Sequence, residues 1–181
     1  MEPNPRKKLK HFNEVGHAHA LTFSCYKRLP LLERDRLCLW FLEALEDVCR
    51  NLEYETHAFV VMPEHVHLVV VPLKAEYDIA RFLHGLKRPV AGRAEKWLAL
   101  HDPVWHERLK PPADSKGSFH FWQRGGGFDR NIFSEQIYAA TIHYIHNNPV
   151  RRGLVRSPEE WKWSSIHWYE RGGTGSIFDL P

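Results

Sequence analysis

Two histidines separated by one residue form the most chemically informative feature of this sequence. His65 and His67 open an apolar, β-branched run that follows Pro63-Glu64. Successive side chains of a strand point to opposite faces, so a strand here would direct both imidazoles to the same side. Two imidazoles held side by side supply half of a divalent-metal site. The pair therefore predicts a metal centre that other residues must complete.

A tyrosine and an asparagine far along the chain are candidates to complete that centre. Tyr144 and Asn148 are four residues apart, which places them on one face of a helix. If that face covers the histidine strand, an amide oxygen joins the two imidazoles and a phenol lies beside them. Such a metal would polarise a phosphoryl oxygen while the tyrosine attacks phosphorus. Imidazoles suit Mn²⁺ and amide oxygens suit Mg²⁺, so either ion fits the pattern.

The elements that must position these residues follow from hydrophobic periodicity. We predict strands over residues 17–26, 54–62, 65–71 and 119–123, and helices over 33–52, 77–100 and 134–147. Their order predicts an α+β fold with a ferredoxin-like βαββαβ plan. Its antiparallel sheet has helices on one face, a C-terminal helix carries the tyrosine, and the histidine strand is central.

The remaining segments are predicted to be peripheral parts of a single domain over residues 1–181. Residues 1–15 form an irregular basic arm, and the proline-rich residues 101–118 form a surface loop. Residues 168–181 form a tail, and we hypothesise that this tail covers the active site. Pro89 is expected to kink or interrupt the second helix.

Composition indicates a soluble protein of the cytoplasm. The three cysteines, Cys25, Cys38 and Cys49, form no C-x-x-C pair, which favours reduced thiols. No apolar run approaches the roughly 18 residues of a membrane helix, and no secretory signal is visible. We therefore expect no membrane partner.

Charge is weakly informative by itself. The formal net charge is +3 at pH 7, and basic residues cluster at Lys87-Arg88 and at Arg151-Arg152, among other places. Such clusters suit a phosphate backbone, although solvated surface charge explains them equally well.

Four stretches of the sequence together resemble one family. Residues 62–67 (MPEHVH) resemble the HUH motif of single-strand DNA transposases, and residues 144–150 (YIHNNPV) resemble the signature of their REP-associated tyrosine branch. Residues 121–124 (FWQR) followed by Asp129, and residues 161–165 (WKWSS), resemble two further segments of that branch, which includes "transposase 17"-like insertion-sequence proteins. The H-x-H alone is a weak signal, but the four stretches occur in the family's order over nearly the whole chain.

The resemblance implies a role for each matching residue. His65, His67 and Asn148 would bind a divalent metal ion, Mg²⁺ or Mn²⁺. Tyr144 would cleave single-stranded DNA, forming a 5′-phosphotyrosine link and freeing a 3′-OH, and reversal of this step would join strands. Recognition would be of palindromic hairpin DNA. The expected DNA contacts are Trp122, Gln123, Arg124, Lys87, Arg88, Arg151 and Arg152.

Alternatives remain open at this point. A non-catalytic nucleic-acid-binding module on the same fold would bind DNA or RNA without a metal. A metallo-phosphoesterase would activate water and use Tyr144 only to position its substrate. His143 and His146 flank the tyrosine and are second candidates for ligands or bases, whereas His17 and His19 are interpreted as structural or surface residues. The protein is expected to be a monomer or a homodimer that exchanges the tyrosine helix.

Overall fold

A four-stranded antiparallel sheet organises the computed structural model, which describes residues 16–111, 119–125 and 127–181. The strands are β1 (Ala18–Ser24), β2 (Tyr54–Val61), β3 (His65–Pro72) and β4 (Phe128–Ile132), in the spatial order β2-β3-β1-β4. The predicted ferredoxin-like plan is confirmed, and the histidine strand β3 is central in it. The predicted basic arm lies outside the described residues.

Six α-helices are described between and after these strands. They are α1 (Asp35–Leu52), α2 (Ile79–His101), α3 (Pro103–Arg108), α4 (Glu135–His146), α5 (Asn148–Arg151) and α6 (Ile166–Glu170), with 3₁₀ turns at Tyr26–Arg28, Leu31–Glu33 and Pro158–Glu160. The first two helices pack on one face of the sheet, because each buries an apolar stripe of helical spacing.

Helix α2 is continuous through Pro89, so the predicted interruption is wrong. Its start is fixed by Asp78, whose carboxylate accepts hydrogen bonds from the backbone N–H groups of Ala80 and Arg81. Leu86 and Val90, on either side of the proline, are completely buried. This packing holds the helix together although the proline removes one of its backbone hydrogen bonds.

Two further predictions are corrected between α2 and α4. The fourth strand is Phe128–Ile132, not residues 119–123, which contribute only an isolated bridge between Trp122 and Cys25. Phe121 and Trp122 pack into the core, so the aromatic run reflects core packing and not a strand. The predicted surface loop begins with helix α3, capped by the side chain of Asp102, while residues 112–118 lie outside the described residues.

Helix α4 lies on the other face of the sheet. The Ser134 hydroxyl accepts a hydrogen bond from the backbone N–H of Ile137 and caps the helix. Ile145 is 2% exposed and joins a second apolar cluster with residues of β2 and β3, among them Val60 and Val69. This contact fixes the end of α4, where the predicted tyrosine lies, above the histidine strand.

The C-terminal segment extends the β2 edge of the sheet. The backbone N–H of Val61 donates to the carbonyl of Trp163 (2.9 Å), and that of Ser165 donates to Phe59 (3.0 Å). Beyond it, the Phe178 ring stacks on Phe59 with centroids 6.1 Å apart. The tail therefore lies against β2 and not over Tyr144, so the hypothesis that it covers the active site is wrong.

All three cysteines are buried and free, in agreement with the prediction of unpaired thiols. Burial raises the pKa of Cys49 to about 11 and that of Cys38 to about 12, so neither is a reactive thiolate at neutral pH. Among the residues with described positions, no helix has the length and apolarity that a membrane span requires.

Candidate active site

Strand β3 places His65 and His67 side by side on the α4 face of the sheet. Both are less than a tenth exposed, and their Nε2 atoms are 3.0 Å apart. Between them, Val66 turns into the core on the opposite face, as the strand alternation predicted. Hydrogen-bonded strands on both sides of β3 leave the two imidazoles little freedom to separate.

The other nitrogen of each imidazole is also bonded. His65 Nδ1 donates to the Glu64 carboxylate (3.1 Å), which in turn is paired with Arg152 (2.9 Å). His67 Nδ1 lies 2.8 Å from the Thr22 hydroxyl. A carboxylate only accepts hydrogen bonds, so the tautomer of His65 is fixed with its Nε2 lone pair directed at His67.

Burial keeps both imidazoles neutral. It lowers the pKa of His67 to about 3, with a smaller contribution from the neighbouring His65. It also lowers the pKa of His65, although the Glu64 carboxylate opposes this effect. Neutral imidazoles are the form that binds metals.

Asn148 supplies the third polar group. It is 5% exposed, and its amide nitrogen lies 3.1 Å from His67 Nε2. Rotation of the amide by half a turn presents its oxygen at the same position. The Nε2 atoms of His65 and His67 are 3.0 Å apart, a separation at which a proton or a cation must lie between them.

Two imidazoles and an amide oxygen fit a divalent cation such as Mn²⁺ or Mg²⁺. Within residues 16–111, 119–125 and 127–181, no three His, Cys, Asp or Glu side chains form a metal-binding group. A site built from these three residues depends on the amide of Asn148, which is the donor that the helical spacing from Tyr144 pointed to.

Tyr144 lies beside this group and is open to solvent. Its ring meets that of His67 edge-on, with centroids 5.5 Å apart, and the Arg151 guanidinium is 4.8 Å from the Tyr144 centroid. The side chain is 41% exposed. The phenol is thus held next to the imidazoles and remains accessible to a large substrate.

The predicted DNA-binding residues fall into two groups. Arg151 and Arg152 are exposed next to Tyr144 and Glu64. The other group lies on α2 and on the segment before β4. Lys87, Arg88 and Trp122 line a cavity of about 470 Å³, and Gln123 and Arg124 follow Trp122 in the chain.

Lys87 and Trp122 are held together in that second group. The Trp122 indole N–H donates to the carbonyl of Lys87 (3.0 Å), and the Lys87 ammonium is 4.4 Å from the Phe23 ring centroid. Burial lowers the pKa of Lys87 to about 8. Trp122 is 9% exposed, so its ring faces are covered, whereas Arg88 and Arg124 are exposed.

Gln123 is also held in place, because its side-chain oxygen accepts a hydrogen bond from the backbone N–H of Lys27 (3.0 Å).

His143 and His146, the second candidates for ligands or bases, lie outside the group of candidate metal ligands. His146 is buried with its Nε2 atom 2.9 Å from the Ser165 hydroxyl, and burial lowers its pKa to about 4. His143 is exposed. Neither residue belongs to the group around His67.

Sequence reasoning missed two residues on which the site depends, Thr22 and Glu64. These side chains hold the two imidazoles in orientation. Only Glu64 could have been found from the sequence, because it directly precedes His65. His19, interpreted as structural or surface, is fully buried between Asp129 and Tyr77, with a hydrogen bond of 2.9 Å to each. It joins β1 to β4 and has a structural role.

Two known proteins are similar to this chain in sequence. A REP-associated tyrosine transposase of Escherichia coli (strain K12) is 24% identical over 124 residues, which are 68% of this chain and 61% of that protein. A protein of Haemophilus influenzae, provisionally given the same name, is 24% identical over 127 residues, or 70% of this chain and 67% of that protein.

A solved structure, that of a REP-associated tyrosine transposase bound to a REP hairpin, has a TM-score of 0.71 to this chain. The match covers 97% of this chain and 92% of that chain at 20% identity, and it confirms the fold. The family model described as "Transposase IS200 like" matches residues 15–148, which is well over half of the sequence. The resemblance inferred from the motifs is thereby confirmed, and the chain belongs to the family of IS200-like transposases.

Proposed function

We propose that this protein is a metal-dependent tyrosine transposase that cleaves and rejoins single-stranded DNA through a 5′-phosphotyrosine intermediate. The observation that supports it is the meeting of Tyr144 with His65, His67 and Asn148 at one end of β3. Three buried side chains of the kinds that bind metal ions, next to a half-exposed phenol, favour an active site over a purely structural cluster.

In this proposal, His65, His67 and Asn148 hold the divalent metal ion, Mg²⁺ or Mn²⁺. When bound, the ion polarises a phosphoryl oxygen as a Lewis acid. Thr22 and Glu64 orient the two imidazoles, and Arg152 fixes the Glu64 carboxylate. Such outer partners keep the ligand nitrogens directed at the ion.

Tyr144 carries out the covalent step. Its phenolic oxygen forms a bond to phosphorus, the bond from phosphorus to the 3′ oxygen breaks, and that oxygen leaves as a 3′-OH. The phenol proton passes to water, which reaches the half-exposed side chain, and the leaving 3′ oxygen takes up a proton from water. In the reverse direction a 3′-OH attacks the phosphotyrosine and frees the phenol. The link retains the phosphodiester energy, so no nucleotide cofactor is required.

Hairpin DNA is the proposed partner, because the solved structure with the same fold is of a transposase bound to a REP hairpin. Arg151 and Arg152 lie where the strand must approach Tyr144, and Lys87 with its exposed neighbours offers a second positive surface. Gln123 joins that surface, and the buried Trp122 serves it by positioning Lys87.

One chain contains the whole proposed site, since both imidazoles, the amide and the phenol belong to the same copy. The proposal therefore needs only a monomer, and a homodimer is not required for the chemistry. It also retains the cytoplasmic location predicted from the cysteines.

The test is covalent capture of DNA on a denaturing gel. Wild type, Tyr144→Phe and the matched control Tyr138→Phe are incubated with labelled hairpin oligonucleotides that carry single-stranded flanks, with Mn²⁺ or Mg²⁺. Tyr138 lies on the same helix and is hydrogen bonded to His57 on β2. We expect a slow covalent band with wild type and Tyr138→Phe, lost with chelator and with Tyr144→Phe.

Two other results would contradict the proposal. Cleavage without a covalent band indicates attack by water, as in a phosphoesterase. Binding on a native gel that is unaffected by chelator and by Tyr144→Phe, with no cleavage of any hairpin, indicates a nucleic-acid-binding module.

A further inference from the structure

Helix α4 covers only part of the sheet face on which the histidines lie. It packs mainly against β2 and β3 and covers the Ala18 and Ile132 end of β1 and β4, whereas the other end of these two strands, with Thr22 and Phe128, is less covered. A cavity of about 550 Å³ lies between this less covered end and the helix. Its size is within the range of about 300–1,000 Å³ typical of small-ligand sites. His67 and Tyr144 line the cavity, so it opens directly onto the proposed site.

The strand register gives this cavity a flat floor and an aromatic wall. Thr22 pairs with Phe128 and Ala20 pairs with Arg130, so all four side chains share one face of the sheet. Ala20 and Thr22 are small and form the floor. The Phe128 side chain is 53% exposed and forms the aromatic wall of the cavity.

The far wall and the rim complete the cavity. Ala140 and Thr141 of α4 face the floor, again with small side chains. Arg130 is exposed at the β4 side, and Arg151 stands over Tyr144 at the other. Within the described part of the chain, no carboxylate lines this cavity. It is thus a largely apolar slot with a positively charged rim.

We propose that this slot accepts one unpaired nucleobase of the DNA strand, adjacent to the phosphate that Tyr144 attacks. Phe128 stacks on the base, and Arg130 contacts the neighbouring phosphate. The inference rests on the proposed function, because it assigns a subsite to the same substrate.

The chemistry of a nucleotide matches both parts of the slot. A base is planar and apolar on its faces, which suits small side chains on the floor and an aromatic ring at the wall. Its phosphates are anionic and suit Arg130 and Arg151 at the rim. An aliphatic ligand would contact the apolar walls but leave both guanidinium groups without an anion. Phe128 and Arg130 are therefore assigned as specificity-determining residues.

The test uses fluorescence of 2-aminopurine, which is quenched when the base is stacked. The cleavage point is first mapped with wild-type protein. Strands with 2-aminopurine at single positions around that point are then titrated with Tyr144→Phe protein, which binds without cleaving. We expect one position to be quenched, and Phe128→Ala in the same background to remove the quenching.

The expected loss of affinity on Phe128→Ala is about 5- to 150-fold, which corresponds to roughly 1–3 kcal/mol for one stacked base. An abasic nucleotide at the quenched position should weaken binding of the Tyr144→Phe protein but not of the Phe128→Ala variant, because both changes remove the same contact. The matched control is Phe133→Ala, since Phe133 is 70% exposed directly after β4 and does not line the slot.

Phe128→Leu separates stacking from simple apolar contact, and it should bind nearly as weakly as the alanine variant. The inference is overturned if no position responds to Phe128→Ala, or if Phe133→Ala has the same effect. A wild-type protein that forms the covalent adduct yet shows no such position would retain the proposed function and lose only this subsite. Absence of any adduct would instead count against the proposed function.

Discussion

Lys87 is predicted to strengthen DNA binding at the expense of the free energy of unfolding. Its ammonium is packed against the Phe23 ring, and burial lowers its pKa from 10.5 to about 8. No carboxylate among the described residues contributes to this pKa. We expect Lys87→Met to stabilise the protein at pH 7 and to weaken DNA binding, because the change removes a poorly solvated charge from the second positive surface.

The magnitude follows from the two pKa values. At about 1.4 kcal/mol per pH unit, the difference between 10.5 and about 8 bounds the cost of the charge at roughly 3 kcal/mol. Partial contact with solvent reduces this bound, so we expect a gain of about 1–2 kcal/mol in the free energy of unfolding.

The pH dependence has a definite sign. The folded state holds the proton of Lys87 more weakly than the unfolded state does, so the cost is fully present below pH 8. It falls as the pH rises from about 8 toward 10.5, where both states are neutral. The advantage of Lys87→Met over wild type should therefore shrink between pH 8 and pH 9.5.

Urea unfolding at pH 7, 8, 9 and 9.5 measures this difference, and a filter-binding titration with hairpin DNA measures affinity. Arg88→Met is the matched control, because Arg88 is the next residue and is exposed. It should lose DNA affinity without gaining stability. The reasoning would be refuted if Lys87→Met lowered the unfolding free energy at pH 7, or if its effect were the same at every pH.

Two further predictions concern the support of the site. Thr22→Val removes the partner of His67 Nδ1 and should weaken Mn²⁺ binding by about 10- to 100-fold in calorimetric titration. Thr141→Val, whose hydroxyl donates to the Ile137 carbonyl of its own helix, should leave Mn²⁺ binding unchanged; equal affinities in both variants would contradict the assigned role of Thr22. Gly127→Ala should lower the unfolding free energy by more than about 2 kcal/mol in urea, because Gly127 has a φ of +77° and a Cβ there would lie 2.1 Å from the Thr22 carbonyl; an unchanged midpoint would show that β4 can shift freely.

Short-range patterns predicted the positions of the site residues better than their surroundings. Alternation along β3 was sufficient to place His65 and His67 on one face, because the strand is buried on both sides and its register cannot slip. The spacing of Tyr144 and Asn148 was informative although the helix ends at His146, since Asn148 begins another helical turn directly afterwards.

Long-range packing could not be predicted in the same way. Residues 119–123 resemble a strand because they are aromatic, but Trp122 is aromatic to fill the core. The true edge strand β4 begins with exposed and charged residues, so it lacks the apolar alternation of a buried strand. The partner of His19, Asp129, is 110 positions away, and nothing in local sequence indicates that pairing.

The pairing of residues 163–165 with β2 has a consequence unrelated to DNA chemistry. Edge strands offer free backbone N–H and C=O groups to other chains and so promote aggregation. Here the backbone groups of Trp163 and Ser165 form hydrogen bonds with Val61 and Phe59 at the β2 edge. The opposite edge is a strand of only five residues. The Trp-Lys-Trp-Ser-Ser segment thus covers residues 59–61 of this edge against pairing with another chain. We expect a variant without any catalytic residue to need the segment equally to stay in solution.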